Sequence, residues 1–410
     1  GFRFILDIKL CITCQTCGKV GRQRDGFVKC VGMERLGMAQ SRRHGFHTST
    51  GDIIERILFR QRPAGCLGMG TECHGFRILR TELFQNLCPE NAGRSHLCDF
   101  HKIVLALIPE EGQTVMGEDI KKSPGGKGAN QAVQMARLGA DVTLIGKIGR
   151  DRDGEELVKV CKEAGVNTEQ IIYDDVLPTG SSIVLLETVP GQKVKKRSIV
   201  IPGATAQLTV DEIAYLEDEM DKYDLVVLQN AIPMEVNEAI AGYAYKHEVD
   251  VVLNPIPAKK LSKELMECVT YLIVNEQAAK SMTGIKIHSD WKREWTRFNL
   301  DEARVVSAVI RGRGVPTVLI TLAEKGVIMN TPERFYYKKA IEDVEMVDPR
   351  AAGDAFIGAF CTRICTDDSI GKVLTIANYT AALSIATEGA IESLPTSKQV
   401  REYMEQKRDA

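Results

Sequence analysis

"SPGGKGANQAVQMARLGADVTLIGKIGRD", residues 123–151, sets the reading of this chain. The Gly125-Gly126 pair lets the backbone come close to a ligand. Lys127 and Asn130 follow at a helix start, where free amides favour polar or anionic ligands. A short β-like run, "DVTLIGKIG" (141–149), comes next. The alternation then repeats. "DGEELVKVCKEAGV" (153–166) has an Asp cap candidate, early acids and apolar residues at helical spacing, ending at Gly165. "DLVVLQN" (224–230), "VDVVLNP" (249–255), "YLIVNE" (271–276) and "PTVLITLA" (316–323) are nearly continuous apolar runs, each preceded by a helix-like stretch. Strands buried on both faces of a parallel sheet read this way. The expected fold class is α/β, a doubly wound, mainly parallel sheet with ligands at the carboxyl ends of its strands.

"SSIVLLETVPGQKVKKRSIVIPG" (181–203) breaks that rhythm, with two β-rich runs around Pro190-Gly191. It reads as an antiparallel hairpin outside the sheet, either a lid or dimer surface or a plain edge excursion.

The 410 residues are 44% hydrophobic and 26% charged, an ordinary globular composition. A net charge of −2 gives no global pull toward nucleic acid or a membrane surface, and no run of eighteen apolar residues suggests a membrane span. The first hundred residues differ from the rest. They hold 15 Lys+Arg against 9 Asp+Glu, a net of +6, so the remainder carries −8 to reach the total of −2. They also hold Cys11, Cys14, Cys17, Cys30, Cys66, Cys73, Cys88 and Cys98, eight of the twelve cysteines. The spacing of Cys11, Cys14 and Cys17 leaves a zinc or iron–sulfur reading open, although a second CxxC and a Cys-Pro are both missing. Only "GDIIERILFRQ" (51–61) hints at a helix there. We therefore expect residues 1–98 to be an irregular, poorly ordered extension and residues 99–410 to be the folded domain, with lid segments at about 103–124 and 181–203. The few cysteines beyond residue 100 suit a reducing, cytoplasmic compartment.

A third stretch, "VDPRAAGDAFIGAF" (347–360), places small residues before an acid at a helix mouth. Ala351, Ala352 and Gly353 would expose consecutive N–H groups with room for a phosphoryl group. Asp354 could accept a proton from an attacking hydroxyl, or could merely cap the helix. Further polar groups mark strand ends: Asn254-Pro255-Ile256-Pro257, Asn275-Glu276 and "ITLAEKG" (320–326).

"GGKGANQA" followed far downstream by "AAGDAF", with "LNPIPA", "NEQAAKSMTG" and "VLITLAEKGV" between them in order, resembles the ribokinase branch of the PfkB family of sugar kinases. The resemblance spans roughly residues 95–410. It implies ATP-dependent phosphorylation of ribose at its 5-hydroxyl, with Mg²⁺ and activation by a monovalent cation such as K⁺. It also implies a doubly wound sheet with a small β lid that forms a homodimer contact. Carried over by position, Asp354 is the catalytic base and Ala351, Ala352 and Gly353 are the anion hole. Asp99, Gly125, Gly126, Lys127, Asn130 and Asp354 itself contact sugar, and Asn275, Thr321, Gly326 and Asn378 hold the nucleotide. Asp348, Arg350, Gly389 and Ser393 fall at the monovalent-cation loop.

The chain departs from the family pattern at several positions. "RSHLCD" (94–99) keeps only the Ser and final Asp of the family's opening signature, and Leu97 replaces a sugar-binding Asn. "LFQNLCPENAG" (83–93) stands where the first strand belongs, so a central strand is expected to be lost. Ala231 and Ala278 replace acids, and Pro349-Arg350 replaces two Thr before the anion hole. Pro349 removes one amide donor, and Arg350 is placed to pair with ATP phosphates. Two functions follow as alternatives: a ribose kinase, or an eroded relative that binds sugar or nucleotide without efficient transfer.

Overall fold

The computed structural model describes residues 3–7, 21–22, 28–29, 100–105, 108–187, 195–288, 297–342 and 344–409. The metal, helix and disorder expectations for the first 98 residues fall almost wholly outside them. The chain divides into one unit of Gly1–Thr13 with His96–Ala410, and a second of Cys14–Ser95. In the second unit, β2 (Gly21–Arg22) and β3 (Val28–Lys29) pair antiparallel.

The larger unit begins with β1 (Arg3–Asp7). β4 (Phe100–Leu105), β5 (Asp119–Ser123), β6 (Asp141–Gly149), β7 (Ile171–Asp174), β8 (Ser181–Glu187) and β9 (Lys195–Ile201) follow. Then come β10 (Leu225–Gln229), β11 (Asp250–Asn254), β12 (Tyr271–Asn275), β13 (Thr317–Thr321), β14 (Val327–Asn330) and β15 (Phe335–Lys338). The longer helices are α1 (Lys127–Arg137), α2 (Arg152–Glu163), α3 (Met234–Lys246) and α4 (Glu276–Thr283), then α5 (Arg297–Arg311), α6 (Ala352–Ile364), α7 (Ile370–Ile385) and α8 (Ser397–Asp409).

The main sheet has the order β15-β14-β13-β12-β11-β10-β1-β6-β7. All neighbours from β13 to β7 are parallel, and β14 and β15 add an antiparallel edge. Its strands alternate between two cores. Leu225, Val227, Val252, Ile273 and Leu319 face one core with Phe356 and Phe360 of α6 and Leu157 of α2. Val226, Leu228, Val251, Leu272 and Val318 face the other, with Ile240 of α3 and Ile310 of α5. Both faces are covered by helices, which is why these strands read as unbroken apolar runs.

The expected loss of the first strand is corrected. The "RFILD" run of β1 takes the central slot, pairing Ile5 with Val226 on one side and Thr143 on the other. It satisfies the backbone groups that β6 and β10 would otherwise bury unpaired. The sheet therefore reaches back across the residue-98 boundary drawn from sequence. Strand order runs outward from β1 in both directions, making it the topological switch point where α/β folds place ligands.

β4, β5, β8 and β9 form a separate sheet of order β5-β4-β8-β9. β8 and β9 pair antiparallel from Ser181↔Ile201 to Glu187↔Lys195, as the hairpin reading expects. Pro190-Gly191 lies outside the described residues. The segment "DGEELVKVCKEAGV" is helical, but its cap is Asp151, whose side chain accepts from the Gly154 N–H at 2.8 Å.

Candidate active site

α6 begins against α1, and the glycine at 358 lets them approach. A Cβ there would lie 2.6 Å from Gln134 Cβ and 3.1 Å from Gln131 O. Gly358→Ala is therefore expected to lower the melting temperature. Overpacking costs about 1–3 kcal/mol, which exceeds the roughly 1 kcal/mol that Ala gains over Gly in a helix. An unchanged or higher melting temperature would refute this close approach.

That packing fixes Asp354. It lies in the first turn of α6 and is only 3% exposed. The capping position is Ala351, whose side chain makes no cap, so Asp354 is not the helix cap. Its carboxylate points to α1 instead. Asn130 Nδ2 donates to Oδ2 at 2.9 Å, Gln131 Nε2 donates to Oδ1 at 2.9 Å, and Lys127 Nζ lies 3.6 Å from Oδ1. Gln131 is held in turn: Gln229 Nε2, at the end of β10, donates to Gln131 Oε1 at 2.8 Å. Asn237 Nδ2 of α3 donates to Gln229 O at 2.9 Å. Because Asn130 must turn its NH₂ to the carboxylate, its Oδ1 faces away, and it is buried without a partner among the described residues. Leaving a buried acceptor unpaired costs free energy, which a water or a ligand hydroxyl placed there would recover.

Sequence reading anticipated Lys127 and Asn130 here but missed Gln131, Gln229 and Asn237. The available signal was a Gln closing the otherwise apolar run "LVVLQ" of β10. Ala231 and Ala278 are both buried and supply no acid. Asp99 and Leu97 lie outside the described residues. Asn254, another strand-end polar residue, donates from Nδ2 to Ile273 O at 2.7 Å.

The residues expected to hold nucleotide fall into two pairs. Asn275 and Thr321 are register partners at the carboxyl ends of β12 and β13. Asn275 Oδ1 caps α4 by accepting from Ala278 N–H at 2.7 Å, and the Thr321 hydroxyl donates to Val274 O at 3.4 Å. Gly326 and Asn378 converge on residues 338–340. A Cβ on Gly326 would sit 2.0 Å from Lys338 O, and Asn378 Nδ2 donates to Lys339 O at 2.7 Å.

At the loop before α6, Arg350 turns inward to Asp348 rather than toward an incoming phosphate. Its Nη2 lies 2.7 Å from Asp348 Oδ2, and Nε lies 3.0 Å and 2.9 Å from Oδ1 and Oδ2. The two side chains are 2% and 0% exposed. The N–H groups of Arg350 and Gly389 also donate to Asp348, at 3.1 and 3.2 Å. Burial works to raise the Asp348 carboxyl, but the Arg350 and Gly389 contacts outweigh it and hold its pKa below the usual carboxylate value. The Ser393 hydroxyl donates within the neighbouring loop, to Ala390 O at 2.9 Å.

The buried carboxylate and its two amide donors thus bring the start of α6 against the first turn of α1. Residues 97–397 match the pfkB family of carbohydrate kinases. The chain belongs to this family. It is 32% identical over 308 residues to ribokinase from Haemophilus influenzae, covering 74% of this chain and 95% of that protein. It is 30% identical over 296 residues to ribokinase from Bacillus subtilis, covering 72% and 92%. Among solved structures, ribokinase from Thermotoga maritima aligns with a TM-score of 0.61 at 25% identity, covering 76% of this chain and all of that one. The Arabidopsis thaliana ribokinase complexed with ribose and ATP aligns at 0.63 and 24% identity, covering 75% and 99%, and shows the shared fold. Among the described residues, no helix is long and apolar enough to cross a membrane.

Proposed function

We propose that this sugar kinase transfers the γ-phosphoryl group of ATP to the 5-hydroxyl of ribose, giving ribose 5-phosphate and ADP. The observation that carries this reading is Asp354, buried yet aligned by Asn130 and Gln131 at the start of α6. In the proposed step Asp354 takes the proton of the 5-hydroxyl as its oxygen attacks phosphorus. The N–H groups of Ala352 and Gly353, in the first turn of α6, face the charge that spreads over the transferred oxygens. Asn130, with Gly125, Gly126 and Lys127 beside it, holds the sugar, and Asn130 Oδ1 is the open acceptor for one of its hydroxyls. Asn275, Thr321, Gly326 and Asn378 border the adenylate side. Mg²⁺ enters with ATP as part of the substrate, held mainly by phosphate oxygens, as Mg²⁺ commonly is. No cluster of three His, Cys, Asp or Glu exists to cage it among the described residues.

The binding-only alternative has less support, because the base, its amide partners and the helix start are all intact despite Ala231 and Ala278. A coupled ADP-release assay tests the choice. ADP release that depends on ribose and not on fructose or adenosine is expected. A folded protein with no ribose-dependent release would reject the kinase reading.

Ile120 on β5 and Ile199, Val200 and Ile201 on β9 are apolar yet exposed. We propose that this lid surface meets a second copy of the chain, which light scattering of the purified protein checks. A reducing, cytoplasmic setting is part of the proposal, and the thiols of Cys268, Cys361 and Cys365, which form no disulfide among the described residues, suit it. The K⁺ activator that the family resemblance implies does not fit the loop. The Asp348 carboxylate that would meet it is already matched by a guanidinium. Two unit positive charges about 4 Å apart repel by about 4 kcal/mol at an effective dielectric constant of about 20.

A further inference from the structure

We infer that Arg350 is a resident cation: its guanidinium stands where an exchangeable monovalent ion would sit, so that phosphoryl transfer needs no K⁺. The inference rests on the kinase reading above for its effect on turnover, but its structural part stands alone. Asp348 carries a buried negative charge three residues before Ala351, the capping residue of α6. Left unbalanced, that charge would draw on the same amides that must face a phosphoryl group and would repel the anionic nucleotide. Some cation has to neutralise it.

The chain supplies one covalently. Arg350 contacts both carboxylate oxygens, and the fork geometry of a guanidinium suits a carboxylate better than a point charge does. The surrounding groups are committed as well. Ile385 O accepts the N–H groups of Val347 and Asp348 at 2.8 and 3.0 Å. Ile391 O and Leu394 O accept from Arg137 Nη1. Glu388, next to Gly389, is taken up by Lys121 Nζ at 2.8 and 2.9 Å. A hard cation needs several oxygens turned toward it. Here those oxygens meet Arg137, Arg350, Lys121 and backbone amides.

The test compares thermal unfolding in 100 mM KCl with 100 mM choline chloride, for the wild-type chain and Arg350→Thr, alongside ADP release in the same salts. A ligand that binds only the folded state raises its melting temperature. The wild-type chain is expected to melt within about 1 °C in the two salts and to turn over at rates within about twofold. Arg350→Thr opens the site, so KCl should raise its melting temperature by several degrees and its rate by about fivefold or more. A purely structural Arg350 would give a variant weakened equally in both salts, and that result overturns the inference. So does a wild-type chain stabilised or activated by KCl. If Arg350→Thr does not fold, the wild-type comparison alone decides. Absence of ribose-dependent ADP release with a salt-indifferent melting temperature would reject the kinase reading while retaining the resident cation.

Discussion

Asp354→Asn is expected to lower kcat by about 10²- to 10⁴-fold, the range that a positioned general base contributes. The substitution keeps shape and removes the proton acceptor. It also breaks one hydrogen bond, because Asn130 and Gln131 both donate to the carboxylate and an Asn offers only one acceptor oxygen. Two NH₂ groups would then face each other, at about 1–3 kcal/mol, unless the Asn130 amide turns over. Calorimetric binding of ribose, measured beside kcat, separates the two effects. Binding within a few-fold of the wild-type chain, with turnover nearly gone, is the expected pattern. Turnover within tenfold of the wild-type rate would show that another group accepts the proton.

The second large effect lies far from the chemistry. Ile5→Pro is expected to lower the melting temperature by roughly 10 °C or more, or to leave no soluble protein. Ile5 lies in a strand flanked on both sides, opposite Val226 and Thr143. Proline has no N–H to give and is confined to edge strands and bulges for that reason. The buried acceptor left behind adds about 1–3 kcal/mol, against a total stability of about 5–15 kcal/mol for a typical domain. If Ile5→Pro melts with the wild-type chain, β1 is not the central strand and the gap expected from the sequence returns.

Legibility tracked how local each signal was. β6, β10, β11, β12 and β13 were readable because burial on both faces writes a continuous apolar run into a few adjacent residues. The Asp354 and Asn130 positions were readable from motif residues that sit at helix starts. β1 was not, because its link to β4 is broken by the residues between Asp7 and Phe100, and no local pattern says that "RFILD" belongs beside "LVVLQ". Gln131 was missed because its role depends on Gln229, ninety-eight positions away, and only the fold makes them neighbours. Arg350 was read as a partner for ATP because its charge was visible and its direction was not. The direction comes from Asp348, two residues earlier, which a short loop can fold back to meet.

The placement of β1 also constrains the order in which the molecule can assemble. β1 is synthesised before either neighbour, and its partners begin only at Asp141 and Leu225. Closing such long loops adds little to the equilibrium cost, about 0.6 kcal/mol per doubling of length. The kinetic cost is larger, since contacts between residues distant in sequence slow folding. Until residue 229 has left the ribosome, "RFILD" cannot have both of its sheet neighbours, and an unpaired apolar strand is the kind of segment that chaperones bind and aggregates recruit.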